Sequence, residues 1–302
     1  MVAMPILLLL TLLAVPYDGG DDGAKFRSDS KVVLVPVTVT DRRGALVTGL
    51  ASSAFTVSQD NVPQQIASFG EEDLPASIGV VFDTSGSMRT VLPQAKSMLH
   101  AFFEQCNPED EAFLYTVSTK PDIDAQFTSD FNGMLEKTLF FEAKGATALN
   151  DTIFASLRKS RSGHNARKAI LVISDGMDNH SRYSKAELLS AAMEADVQIY
   201  SISIFDPPRN KKAIELQEER QGVFFLEELS RKTGGLQVVV QNDHDIEKAA
   251  AQIGKAIRNQ YLIGYVPDKT ATAEAKWHAI RIKMNLPNTT ASARAGYFAA
   301  NR

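Results

Sequence analysis

Two stretches, "SIGVVFD" at residues 77–83 and "KAILVIS" at 168–174, are apolar almost without interruption. A strand with one wet face alternates apolar and polar side chains, so an unbroken run belongs to a strand covered on both faces. Helical patterns follow both. "VLPQAKSMLHAFFEQC" carries Leu92, Ala95, Met98, Leu99 and Phe102 at helical spacing, and "SKAELLSAAMEA" stands after the second run. "DEAFLYTVS", "VQIYSISIF" and "LQVVVQ" read as further strands, with "DIDAQFT" at an edge. "FNGMLEKTL", "LNDTIFASLRKS", "FLEELSRKTGG" and "HDIEKAAAQIGKAIRNQ" read as further helices. Strands alternating with helices over residues 75–260 predict an α/β domain with a doubly wound, mainly parallel sheet.

The flanks have a different period. In residues 26–74, Val35, Val37 and Val39 alternate with Pro36, Thr38 and Thr40, and turn signals "DRRG" and "QDNVP" separate "AFTV" and "QIASF". In residues 261–302, His278, Ile280, Ile282 and Met284 alternate around Arg281 and Lys283. Neither flank is long enough to bury much core alone, and the ends of an α/β domain often lie close together. The two are therefore expected to pair as one small β module.

Residues 1–17 contain an apolar run, Pro5 to Val15, too short to span a bilayer and of the length of a signal-peptide core. No Lys or Arg precedes Lys25 and no clean small-x-small cleavage pattern follows the run, so a buried strand is the competing reading. Export is the expectation adopted, giving an extracytoplasmic (periplasmic or secreted) protein with no stable membrane span after cleavage. The net charge of -4 gives no ground for expecting nucleic acid or an anionic membrane surface as partner. The single cysteine, Cys106, allows no internal disulfide and leaves the redox compartment open.

Chemistry concentrates just past the first apolar run, in "VVFDTSGSMRT". Asp, Ser and Gly make ordinary turns, and a turn is the plain reading. Alternate residues past a strand end can also point at one spot, and Asp83, Ser85 and Ser87 then offer a carboxylate and two hydroxyls. The helix expected to begin near Thr90 adds backbone amides. Thr147 in "KGATALND", just before a helix, and Asp175 in "ILVISDGMDN", just past the second apolar run, lie where this topology would bring them, at the sheet edge where ligands gather. Hard oxygen donors suit Mg2+ or Mn2+, with Ca2+ a further candidate, rather than Zn2+ or Cu2+. Two carboxylates and three hydroxyls leave such an ion short of ligands, with a place for an Asp or Glu carboxylate of a protein partner.

The set D-x-S-x-S, then Thr within "GATAL", then Asp within "SDG", resembles the metal-ion-dependent adhesion site of von Willebrand factor type A (vWA) domains. The resemblance implies a Rossmann-like vWA fold, with Asp83, Ser85, Ser87, Thr147 and Asp175 as metal ligands, some directly and some through water. It also implies a non-enzymatic, adhesion-type function. "LVPVTVTDRRGALVTGL" and "YLIGYVP" with "GYFA" are similar to the VWFA-related family typified in acidobacteria, which implies export.

Two other classes stay open. One is a structural module that binds no metal. The other is a Mg2+-dependent phosphotransfer enzyme with Asp83 as nucleophile. The enzyme would usually need an acid two residues beyond Asp83, where Ser85 stands. "DPPRNKKAIELQEERQG", residues 206–222, reads as a charged loop, either a plain surface insertion or a specificity loop over the site. Asp178 reads as a turn residue and Asp151 as a helix-starting one.

Overall fold

The computed structural model describes residues 32–204, 213–267 and 277–298. Residues 1–17, and with them the expected signal peptide, lie outside these, as do 206–212 of the charged segment.

The central sheet contains β5 (Ala76–Asp83), β6 (Glu111–Val117), β7 (Pro121–Thr128), β8 (Arg167–Ser174), β9 (Gln198–Ile204) and β10 (Gln237–Val240). Their spatial order is β10-β9-β8-β5-β6-β7. All neighbours are parallel except β7, which runs antiparallel to β6 at one edge. Helices α1 (Leu92–Phe103), α2 (Phe131–Thr138), α3 (Leu149–Ser160), α4 (Lys185–Glu194), α5 (Ala213–Thr233) and α6 (Ile246–Arg258) cover it.

The two apolar runs explain the layering. In β5, Ile78, Val80 and Phe82 join a core with α1 and α6, while Val81 joins a second core with α3, α4 and α5. In β8, Leu171 and Ile173 face the first core and Ile170 and Val172 the second. Successive side chains point to opposite faces, so a strand between two helical layers has no wet position to fill. Gly79 is one place where a side chain is excluded: a Cβ there would lie 2.3 Å from the Phe113 ring.

The flanking strands are β1 (Val33–Asp41), β2 (Phe55–Gln59), β3 (Val62–Gln64), β4 (Ile66–Asp73), β11 (Asn259–Tyr265), β12 (Trp277–Met284), β13 (Thr289–Ala293) and β14 (Gly296–Phe298). They form two four-stranded sheets, ordered β13-β1-β11-β4 and β14-β12-β2-β3. N-terminal and C-terminal strands thus pair directly: β1 with β11 and β13, and β2 with β12, all antiparallel. Val35, Val37, Phe55, Tyr261, Ile263 and Tyr265 build their core.

Two local readings change. The segment after Ser85 is a 3₁₀ turn over Gly86–Thr90, and α1 starts only at Leu92, with Pro93 in its first turn where no amide is needed. The charged segment is a loop for less of its length than expected, since Ala213 to Gly222 form the first half of α5. Gly222 there marks a close helix–loop contact rather than a break.

Candidate metal centre

The site is built at the carboxyl ends of β5 and β8. Asp83 is the last residue of β5 and has no solvent exposure. Its Oδ1 accepts the Ser85 amide at 2.9 Å, a tight turn that fixes the carboxylate. Its Oδ2 accepts the Ser174 hydroxyl at 2.5 Å from the end of β8. Ser174 Oγ accepts in turn from the Gly176 amide at 2.9 Å. Asp175, 5% exposed, stands between them, and its Oδ1 accepts the Met177 amide at 3.0 Å.

The Ser85 and Ser87 hydroxyls share a hydrogen bond at 3.0 Å. Ser85 is buried and Ser87 is exposed at the mouth. The Thr147 loop is stitched to both sides. Lys144 donates to the Thr84 carbonyl at 2.9 Å, and Gly86 donates to the Gly145 carbonyl at 3.1 Å. Gly145 takes a φ of +84°, which favours glycine, and a Cβ there would lie 2.9 Å from Thr119 Oγ1. The Thr147 amide donates to Asn179 Oδ1 at 2.9 Å, while the Asn179 and His180 amides donate back to the Thr147 carbonyl at 3.0 Å each. The structure therefore links Asp83, Ser85 and Ser87 directly and seats Asp175 beside them. Thr147 is held by its backbone in the adjoining loop, and its hydroxyl bonds to none of the other four.

Electrostatics sets the character of the site. Burial, then the Asp175 carboxylate, push the Asp83 carboxyl up to about 7, against the hydrogen bonds from Ser174 and Ser85. Among the described residues, no Lys, Arg or His lies within ion-pair distance of Asp83 or Asp175. A buried carboxylate with a second beside it and no cation calls for positive charge. The donors around it are all hard oxygens, the set that a small divalent cation fits. Among the described residues, no cluster of three or more His, Cys, Asp or Glu offers a softer or more acidic alternative.

Ser174 and Asn179 were not singled out by the sequence. Ser174 carries a signal only in hindsight, as a polar residue closing an apolar strand immediately before Asp175. Asp178 behaves as a turn and capping residue: Oδ2 accepts the Asn150 amide at 2.8 Å and the Ser181 hydroxyl at 2.5 Å. Asp151 opens α3 and accepts the amides of Arg182 and Tyr183.

Residues 78–177, from β5 through the loop after Asp175, match the family model of the von Willebrand factor type A domain. The chain contains a vWA domain. Among curated proteins, an uncharacterised protein of Borreliella burgdorferi is 27% identical over 199 residues, 60% of this chain. The chain spans 58% of the length of that relative. Among solved structures, a von Willebrand factor type A protein from Catenulispora acidiphila matches 91% of this chain and 76% of its own, with a TM-score of 0.50 and 10% identity. The vWF domain of the type V pili tip protein Mfa5 from Porphyromonas gingivalis matches 61% of this chain and 95% of its own, with a TM-score of 0.47 and 11% identity. The likeness to the Catenulispora protein speaks to the fold alone. No helix among the described residues is long and apolar enough to cross a membrane.

Proposed function

We propose that this vWA protein is a non-enzymatic, extracytoplasmic binding protein that captures a carboxylate of a partner protein through one divalent ion. Asp83, Ser85, Ser87, Thr147 and Asp175 would hold the ion, Mg2+ or Mn2+ in preference to Ca2+. One observation carries the reading: Asp83 is wholly buried beside Asp175, among hydroxyls, with no cation within ion-pair distance among the described residues. A bound divalent ion supplies the missing charge and an open position for an anionic oxygen.

The chain's own residues set the rest. The Ser85 amide and the Ser174 hydroxyl fix both oxygens of Asp83, so the carboxylate is held in place by the chain's own groups. Asn179 fixes the backbone of Thr147 in the same way. A single carboxylate contact is worth little alone, so the surrounding loops supply most of the affinity and selectivity. A non-enzymatic role fits Ser85 at the position where phosphoryl transfer from Asp83 would need an acid, and its hydroxyl is engaged with Ser87. Export rests on the apolar run Pro5 to Val15.

Calorimetric titration of chelator-stripped protein with Mg2+ tests the reading. Saturable one-site binding, lost in Asp83→Ala and weakened in Thr147→Ala with the fold retained, is the expected result. Equal binding by wild type and Asp83→Ala would sink the assignment.

A further inference from the structure

Beside the candidate metal centre lies a cleft of about 700 Å³, walled by the β6–β7 turn, one side of α3 and the loop that leads to α4. Ligand clefts commonly measure roughly 300–1,000 Å³. One wall is aromatic: Phe154 and Tyr183 stack with ring centroids 4.1 Å apart and planes 12° from parallel.

The charge of the cleft is one-sided. Lys120, Arg158, Lys159 and Arg182 line it against one carboxylate, Asp151. That carboxylate is engaged, since Oδ1 accepts the amides of Arg182 and Tyr183 at 2.8 and 3.0 Å. Lys120 reaches Asp122 at 3.5 Å, and the Lys159 ammonium lies over the Phe127 ring. Among the described residues, the guanidinium groups of Arg158 and Arg182 have no hydrogen bond or ion pair, and both residues are exposed. Two uncommitted arginines beside stacked aromatic rings, on a chain of net charge -4, form a local cationic surface that the overall composition conceals.

The cleft is continuous with the metal-site loops. The His180 amide, on the cleft wall, donates to the Thr147 carbonyl at 3.0 Å. The next residue, Ser181, accepts the Asp151 amide at 3.1 Å. One loop thus shapes both places.

We propose that the cleft binds an acidic peptide segment of a protein partner. Carboxylates of the segment meet Arg158 and Arg182, whose planar guanidinium groups match carboxylates in two-pronged fashion. An apolar side chain of the segment lies on the Phe154–Tyr183 pair. Arginine and aromatic residues are what protein interfaces concentrate. The cations come from three separate chain segments, an arrangement that suits several carboxylates along a peptide better than one phosphate. The proposal deepens the metal reading and rests on it in one respect: the same partner offers one carboxylate to the ion and others to the cleft.

The test titrates the full-length protein with a fluorescein-labelled hexaglutamate peptide at low ionic strength, followed by anisotropy, in Mg2+ and in EDTA. The double variant R158E/R182E changes two exposed side chains, and an unchanged Mg2+ titration confirms that its fold is intact. Wild type is expected to bind in both media, more tightly in Mg2+, and the double variant to lose about tenfold in affinity. Equal affinity of wild type and double variant overturns the cleft. So does inorganic phosphate that displaces the peptide as effectively as unlabelled peptide does. Binding indifferent to EDTA but lost in the double variant upholds the cleft and overturns the metal reading alone.

Discussion

The Ser174 hydroxyl donates to Oδ2 of Asp83 at 2.5 Å, joining the ends of two parallel strands over the most buried carboxylate of the site. The same hydroxyl accepts the Gly176 amide, so one side chain ties the Asp83 carboxylate to the backbone just past Asp175. Ser174→Ala leaves both groups buried and short of a partner. An unsatisfied buried polar group costs about 1–3 kcal/mol. Urea unfolding in EDTA should show a loss of that order, and Mg2+ titration a weaker site. An unchanged midpoint and an unchanged titration would mean that the hydroxyl neither stabilises nor orders the centre.

Gly222→Ala should act against the usual preference of helices. In a helix interior alanine is favoured over glycine by about 1 kcal/mol. A Cβ at Gly222, however, would lie 2.2 Å from the Gly176 carbonyl oxygen, and Gly176 itself has a φ of +82°. Backbone must move, and it is the backbone next to Asp175. Overpacking of this kind costs about 1–3 kcal/mol. The variant is expected to melt lower and bind Mg2+ less tightly, while Gln221→Ala, one exposed position earlier, does neither. A raised Tm in Gly222→Ala would show that the loop yields freely.

The lone thiol should be inert in the folded protein. Burial, then the Asp110 carboxylate, push the Cys106 thiol up to about 12, with Arg258 opposing. An ordinary cysteine titrates near about 8.5, and the thiolate is the reactive form. At pH 8 the folded protein should alkylate with iodoacetamide at least about a hundredfold more slowly than the urea-unfolded chain. Because the folded value is raised, the native rate should climb steadily as pH rises from 8 toward 11. Equal rates in the folded and unfolded protein would contradict the burial.

The sequence revealed what depends on local pattern. Unbroken apolar runs located β5 and β8, and the alternate donors beyond β5 located Asp83, Ser85 and Ser87. Partners made by distant chain were hidden. Thr38 and Thr40 look like the wet face of β1, yet both are buried, and the Thr38 hydroxyl donates to the Ala256 carbonyl of α6 at 3.5 Å. Nothing within ten residues of Thr38 announces a helix more than two hundred positions away. Ser174 was hidden for a different reason, since a serine closing a strand reads as punctuation until its partner across the sheet is known. "IELQEERQG" read as loop because of its charge and its place after a strand; its glycine serves a contact, with Gly176, that only the fold creates.

The vWA domain should fold and bind metal without its β flanks. Its buried side chains form two cores, one on each face of the central sheet, and both draw on β5, β8 and the helices between 92 and 258. The third core belongs to the flanks, where Phe55, Phe69 and Tyr261 meet with centroids 5.1 to 5.7 Å apart. The links between domain and flanks pass over α6 and over the end of α5: Thr38 to Ala256, the ion pair of Arg258 with Asp73 at 2.6 Å, Leu46 packed on the first core, the Ala295 amide on the Lys232 carbonyl, and Arg294 paired with Asp196. None of these touches Asp83, Ser85, Thr147 or Asp175. A domain of this size buries enough surface to stand alone. Residues 75–258 expressed alone should therefore melt cooperatively and bind Mg2+ as the full chain does, at a lower Tm because one side of α6 and the end of α5 are newly wet. Circular dichroism melts and calorimetry on the fragment decide it. A fragment that lacks a cooperative melt would show that the flanks are part of the domain's own stability rather than a module laid beside it.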